Sequence, residues 1–215
     1  MKILYAITRT DETGGAQVHV RDLACRLAAD GHEVAVASGP GMADTYRAAL
    51  TDAGVGIHEV PDLGRAIRPA ADLAAIREIT ALLRETRPDV VSLHSSKAGW
   101  LGRLAARRSG VPCIFTAHGW SFTAGVPALR AAVYRLAERA TARFCARIIT
   151  VSEADRRLAI GARVGRPERV VTVHNGMPDV PAELRRDPGG GGANPGAAAN
   201  PAGAANPGAA AETPG

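Results

Sequence analysis

Short apolar runs alternate with longer stretches of helical periodicity from the first residues to Val173. The apolar runs predict strands at residues 3–7, 33–38, 56–60, 90–94, 113–117, 147–151 and 170–173. Between them, apolar residues at near-helical spacing predict helices at 16–29, 43–53, 71–85, 98–108, 128–143 and 153–162. The strands are rich in Val and Ile and apolar on both faces, as a parallel sheet covered by helices demands. Gly31, Gly54 and Gly110 fall just past helix ends, where a left-handed residue is needed. Pro88 and Pro112 stop helices ahead of strands. This alternation predicts an α/β fold, a Rossmann-like three-layer α/β/α sandwich with a mainly parallel sheet and right-handed crossovers. Ligands of such folds sit at the carboxyl ends of the strands, so the segments just after each strand carry the interest.

The first of these segments runs from Thr8 to Gln17 and contains Gly14-Gly15 immediately before a helix. Glycines let a ligand approach the backbone, and the first amides of a helix point outward without partners. An anion site and an ordinary strand–helix turn are both compatible with this pattern. The spacing is not Gly-x-Gly-x-x-Gly, which argues against a nicotinamide or flavin enzyme.

Three further segments should converge on the same rim: His94-Ser95-Ser96-Lys97, Thr116-Ala117-His118-Gly119-Trp120 and Val151-Ser152-Glu153. His118 closes a buried strand. It can contact a sugar hydroxyl or phosphate, or act as an acid or base near neutral pH. The competing reading is a rim histidine bonded to a neighbouring carbonyl. His94, one residue deeper in its strand, reads as structural, and His19 and His32 as packing or surface residues. Ser95 is placed to cap the following helix. Lys97 opposes the dipole of that helix, so it either neutralises a phosphate or is solvated surface. Ser152 and Glu153 read as a cap with an acidic first turn. Arg135, Arg139, Arg143 and Arg147 form a basic stripe opposite Leu129, Val133, Leu136 and Ala140. Such a stripe is either a solvated face or a contact with anionic lipid.

Composition narrows the function class. The net charge is +5, which is compatible with anionic ligands or an anionic membrane surface. Aromatics are 4% of residues and no recognition module is readable, so nucleic acid is not expected. Cys25, Cys113 and Cys145 have neither zinc nor disulfide spacing and read as small buried hydrophobes in a reducing compartment. The N-terminal apolar run is too short for a signal-peptide core, and no window reaches the roughly 18 apolar residues of a membrane span. The expectation is a cytoplasmic protein, able to touch the inner membrane surface. After Asp187 the chain has no large apolar residue, and Asn194-Pro195, Asn200-Pro201 and Asn206-Pro207 recur every six residues. This low-complexity stretch, 181–215, is expected to be disordered because it cannot offset its ordering entropy.

Several of these motifs together resemble the family 4 glycosyltransferases. Gly14-Gly15-Ala16-Gln17-x-His19 and Gly31-His32-Glu33-Val34 look like the family's opening. His94-Ser95-Ser96-Lys97-Ala98-Gly99-x-Leu101-Gly102-Arg103 and Phe115-Thr116-Ala117-His118-Gly119-Trp120 resemble its next landmarks. Val151-Ser152-Glu153 and Val173-His174-Asn175-Gly176 resemble those before the interdomain crossing. The resemblance covers residues 1–180 and implies the N-terminal domain of a GT-B enzyme, which mainly receives the acceptor. It implies retaining transfer from a nucleotide-diphosphate sugar to a sugar or lipid-linked acceptor, with no metal and no cofactor. By position, Gly14 and Gly15 would approach the donor phosphate and His118 the reacting sugar. Ser95 and Lys97 would line the acceptor side, with Trp120, Glu153 and Asn175 as further binding residues. The family pattern continues into a donor domain, whereas here the Asn-Pro-Gly-Ala tail follows. The expectations are therefore a truncated enzyme, one half of a split enzyme with a separate donor-domain chain, or a non-catalytic binding or regulatory module.

Overall fold

A computed structural model describes residues 1–176 apart from 13 and 124. The expected tail at 181–215 lies outside the described residues. The elements alternate without exception. They are β1 (Lys2–Ile7), α1 (Gly15–Ala29), β2 (Glu33–Ser38), α2 (Asp44–Asp52), β3 (Gly56–Glu59) and α3 (Pro69–Thr86). Then follow β4 (Val90–His94), α4 (Ser96–Ser109), β5 (Cys113–Ala117), α5 (Ala128–Ala142), β6 (Arg147–Thr150), α6 (Glu153–Gly161) and β7 (Val170–Thr172). The boundaries differ from the pattern-based ones by one or two residues. α3 starts at Pro69, whose fixed φ and missing N–H suit a first helical position.

The seven strands are ordered β3-β2-β1-β4-β5-β6-β7, and every neighbouring pair is parallel. The chain starts in the middle and winds outward in both directions, so the order reverses between β1 and β4. Ile7 sits opposite His94, and His94 opposite Thr116. That register brings the loops after β1, β4 and β5 level at one rim, where this topology places ligands.

Alternation along β1 sends Ile3, Tyr5 and Ile7 to one face, where they pack with Val20, Ala24 and Leu50 of α1 and α2. Leu4 and Ala6 face the other side, against Ile76, Ile79 and Leu83 of α3 and Ala98, Leu101 and Ala105 of α4. Helix α4 lies unusually close to the sheet. A Cβ on Gly99 would come within 2.5 Å of the Phe115 ring, and one on Gly102 within 2.4 Å of Leu93. Behind it, Arg103 and Glu138 are buried and paired at 2.6 Å. Glu138 also accepts from Trp100 Nε1 at 2.7 Å, and Arg103 Nε donates to the Gly99 carbonyl at 2.8 Å. The bonds to Glu138 join α4 to α5.

Helix α5 corrects one expectation. Its apolar residues Leu129, Val133 and Leu136 are 79%, 51% and 67% exposed. Arg139 instead turns back and donates to the Ala162 carbonyl at 2.6 Å. The inward face is neither stripe but Ala131, Glu138, Thr141 and Ala142, while Arg139, Arg143 and Arg147 are exposed. Cys113 and Cys145 are buried as free thiols, while Cys25 is partly exposed. Among the described residues no helix is long and apolar enough to cross a membrane.

Candidate functional site

Two strand–helix junctions meet at the switch point. Thr8, just past β1, is buried and reaches across to β4. Its hydroxyl lies 2.6 Å from Ser95 Oγ and accepts from the Ala98 amide at 3.1 Å. The cap of α4 is therefore supplied by Thr8, not by Ser95 as the sequence suggested; Ser95 makes no capping bond. Ser95 has φ +68, a region that costs a non-glycine residue about 1–3 kcal/mol. Its hydroxyl accepts from the Thr8 amide at 3.2 Å, which helps hold that conformation.

Helix α1 begins differently. Gly14 is its N-cap and gives no side-chain bond. A Cβ on Gly15 would meet nothing within 4 Å, so the fold leaves open space there. The first turn carries no acidic residue to offset the positive end of the helix.

Between these junctions three histidines come together. His94 is 1% exposed, with Nε2 at 2.9 Å from Ser92 Oγ and Nδ1 at 2.9 Å from Nε2 of His118. His19, from α1, completes the group: one nitrogen from each ring lies within 4.8 Å of the others. Burial, reinforced by His19, lowers His118 from an ordinary 6.5 to about 4. Burial, then His118 and His19, holds His94 well below its ordinary value. Burial also lowers His19, against the pull of Asp22. All three rings are neutral at pH 7. The His94–His118 contact holds one proton between the two facing nitrogens. The Ser92–His94–His118 chain thereby decides whether the outer nitrogen of His118 offers a proton or a lone pair.

His118, Ser95 and Lys97 line an open cleft of about 1370 Å³, which extends past Arg65 to Leu129, Arg130 and Val133 on α5. Lys97 is not solvated surface. It is 7% exposed, pairs with Asp72 at 2.5 Å and donates to the Ala66 carbonyl. Gly14 and Gly15 stand at the edge of the cleft, beside Ala16 and Gln17 of its lining. Trp120 lies outside the lining: it is 3% exposed, stacks on Phe122 and donates to the Asp155 carbonyl at 3.0 Å. Glu153 and Asn175 are exposed beyond β6 and β7, also outside the lining. Ser152 caps α6 through the Asp155 amide at 3.0 Å, as its position indicated. Sequence reasoning missed Ser92, Asp72 and the gathering of His19 with His94. Only the fold makes their separations short, although His19 already stood within the glycine motif.

A family model described as a glycosyl transferase 4-like domain matches residues 14–176. An Escherichia coli UDP-Gal:alpha-D-GlcNAc-diphosphoundecaprenol alpha-1,3-galactosyltransferase is 34% identical over 119 residues, 55% of this chain and 31% of that enzyme. The Escherichia coli O-antigen biosynthesis glycosyltransferase WbnH is 24% identical over 181 residues, 84% of this chain and 51% of its own length. Among solved structures, Anabaena HepE in complex with UDP and glucose superposes with a TM-score of 0.65 at 21% identity, covering 82% of this chain and 45% of that one. Acinetobacter baumannii MurG does so with a TM-score of 0.56 at 18% identity, covering 83% and 47%. At such identities the structural likeness speaks for the fold. The chain spans 31% and 51% of the lengths of the two curated relatives.

Proposed function

The chain belongs to the glycosyl transferase 4-like family, with the fold of a GT-B N-terminal domain, and from that premise we propose that it forms the acceptor side of a glycosyl-transfer cleft. The donor is a nucleotide-diphosphate sugar, and transfer proceeds with retention at the anomeric carbon. The observation that carries this reading is the convergence of Ser95, Lys97 and His118 on one large cleft beside the uncapped start of α1. In the proposed mechanism the amides at Gly15 offset the charge developing on the leaving diphosphate. Neutral His118 orients the reacting hydroxyls. Ser95 and Lys97 shape the acceptor side, Lys97 already fixed by Asp72. Trp120 supports the His118 loop from beneath. Glu153 and Asn175, at the same rim, contact ligand from the donor side.

The acceptor is lipid-linked in this reading. Support comes from the diphosphoundecaprenol in the name of the Escherichia coli relative. It comes also from the exposed Leu129, Val133 and Leu136 on α5, where the cleft ends. That face, with basic residues beside it, rests on the inner membrane surface in a cytoplasmic protein, each basic group contributing about 1 kcal/mol near anionic lipid.

The deciding experiment mixes the purified chain with a separately expressed GT-B donor domain, a nucleotide sugar and a short-chain lipid-diphosphate sugar. Transfer that needs both proteins, and falls at least tenfold in His118→Ala, supports the proposal. Acceptor binding without transfer, whatever donor domain is supplied, replaces it with the second reading, a non-catalytic binding or regulatory module. Absence of acceptor binding overturns both.

A further inference from the structure

The histidine cluster has a property that sugar transfer does not call on. Its three rings approach each other with centroids 5.7 Å apart for His19–His94, 5.1 Å for His19–His118 and 5.3 Å for His94–His118. A tetrahedral ion bound at about 2.0–2.1 Å to three imidazole nitrogens sets those nitrogens about 3.3 Å apart and the ring centroids about 5 Å apart. The facing nitrogens of His94 and His118 are 2.9 Å apart, and all three ligand atoms fall within 4.8 Å. The rings are thus already gathered at nearly the separation that a shared ion requires. We propose that His19, His94 and His118 form a binding site for a borderline transition-metal ion such as Zn²⁺, with its fourth position open to the cleft.

The surroundings fit that chemistry. Ser92 Oγ engages the Nε2 of His94 and leaves Nδ1 directed at the cluster. A hydrogen bond to the far nitrogen is the outer-shell contact that orients a metal-bound imidazole. The ligand set is all nitrogen, which suits Zn²⁺, Co²⁺, Ni²⁺ or Cu²⁺ and not Mg²⁺ or Ca²⁺, whose shells are oxygen. The ligands come from α1, the end of β4 and the loop after β5, so only the folded domain assembles them. The protons balance without loss. The proton held between His94 and His118 moves to an outer nitrogen, and both inner lone pairs then face the ion. His118 meets the ion through Nε2, the nitrogen that faces His94, and keeps its outer N–H for the cleft. The binding itself does not rest on the glycosyl-transfer reading.

The test titrates Co²⁺ into the purified, chelator-treated 215-residue chain and follows its visible d–d absorption, with no sugar present. The expected result is a saturable band of the intensity typical of four- or five-coordinate cobalt, at one ion per chain, removed by Zn²⁺. His19→Gln and His118→Gln, both at partly exposed positions, should each weaken binding by about tenfold or more. His32→Gln, His58→Gln and His174→Gln should leave it unchanged. His94→Gln is read only if its circular dichroism matches wild type, and the other two variants decide without it. A weak six-coordinate spectrum overturns the proposal. So does a band that survives both His19→Gln and His118→Gln. Because no substrate enters the assay, failure here leaves the transfer reading standing, and failure of transfer leaves the metal site standing.

Discussion

Helices α1 and α4 start side by side at the switch point, each just after a central strand, yet their first turns are built in opposite ways. At α4 every opening is filled by the protein itself. Thr8 takes the Ala98 amide, Ser95 is twisted to φ +68 to meet Thr8, and Lys97 is tied to Asp72. At α1 there is no side-chain cap and no acidic residue, and a side chain on Gly15 would touch nothing. The fold spends its polar groups on fixing one junction and keeps the other empty. Rigidity on one side and vacancy on the other is what a cleft needs to position a small anionic ligand.

The largest expected effect comes from loosening the fixed side. Glu138→Ala leaves the Arg103 guanidinium buried without its partner, and such losses cost about 3–5 kcal/mol. Urea unfolding measures it. Replacing both residues with apolar ones of similar volume should recover much of the loss, and a double variant as unstable as Glu138→Ala would contradict the pairing. Next, Thr8→Val removes the α4 cap and one of the two bonds to the Ser95 hydroxyl. The expected cost is about 1–2 kcal/mol, read from the same transition.

Between the junctions, the histidines make stability depend on pH. The folded value of His118 is about 4 against an ordinary 6.5. Below 6.5 the unfolded chain takes up a proton that the folded chain refuses until about 4, so stability is full above this window and declines through it as pH falls. His19 and His94 are lowered too and act in the same direction. His118→Gln should flatten the denaturation midpoint between pH 7 and pH 5; an unchanged slope would remove His118 from this account. The smallest expected change in stability belongs to the vacant side. Gly15→Val should shift unfolding by no more than about 0.5 kcal/mol, because it contacts no neighbour. It should nevertheless cut donor-assisted transfer at least tenfold, about 1.4 kcal/mol in the barrier. A Gly15→Val chain with full transfer would show that the vacancy serves no ligand.

Much of this was written in local pattern. The two-sided apolar strands specified a covered parallel sheet, and the strand ends marked the rim. Helix starts were off by up to two residues at α3 and α4, where Pro69 and the Thr8 cap decide the boundary. The site was less legible for a physical reason. A spacing pattern reports what one residue does to its own element, whereas Lys97 is buried by Asp72, some 25 positions away in the chain. The gathering of His19 with His94 and His118 likewise depends on which strands lie side by side. At α5 the sequence offered an apolar and a basic stripe, and the inner face is neither: it is Ala131, Glu138, Thr141 and Ala142, with Glu138 paired to the buried Arg103 of α4.

The close seating of α4 has a consequence for how this cleft would change over evolution. At Gly99 and Gly102 no side chain separates the helix backbone from the Phe115 ring and the Leu93 methyls beneath it. A side chain in such a gap could absorb a neighbour's change by rotating; a bare backbone cannot. The height of α4, and with it the wall carrying Ser95 and Lys97, is therefore set by the bulk of Phe115 and Leu93. Trimming Phe115 would let the wall settle inward, and enlarging Leu93 would lift it. Under the acceptor-side proposal, the dial for acceptor size lies in the floor of the domain, where a substitution reshapes the opening without altering Ser95, Lys97 or His118.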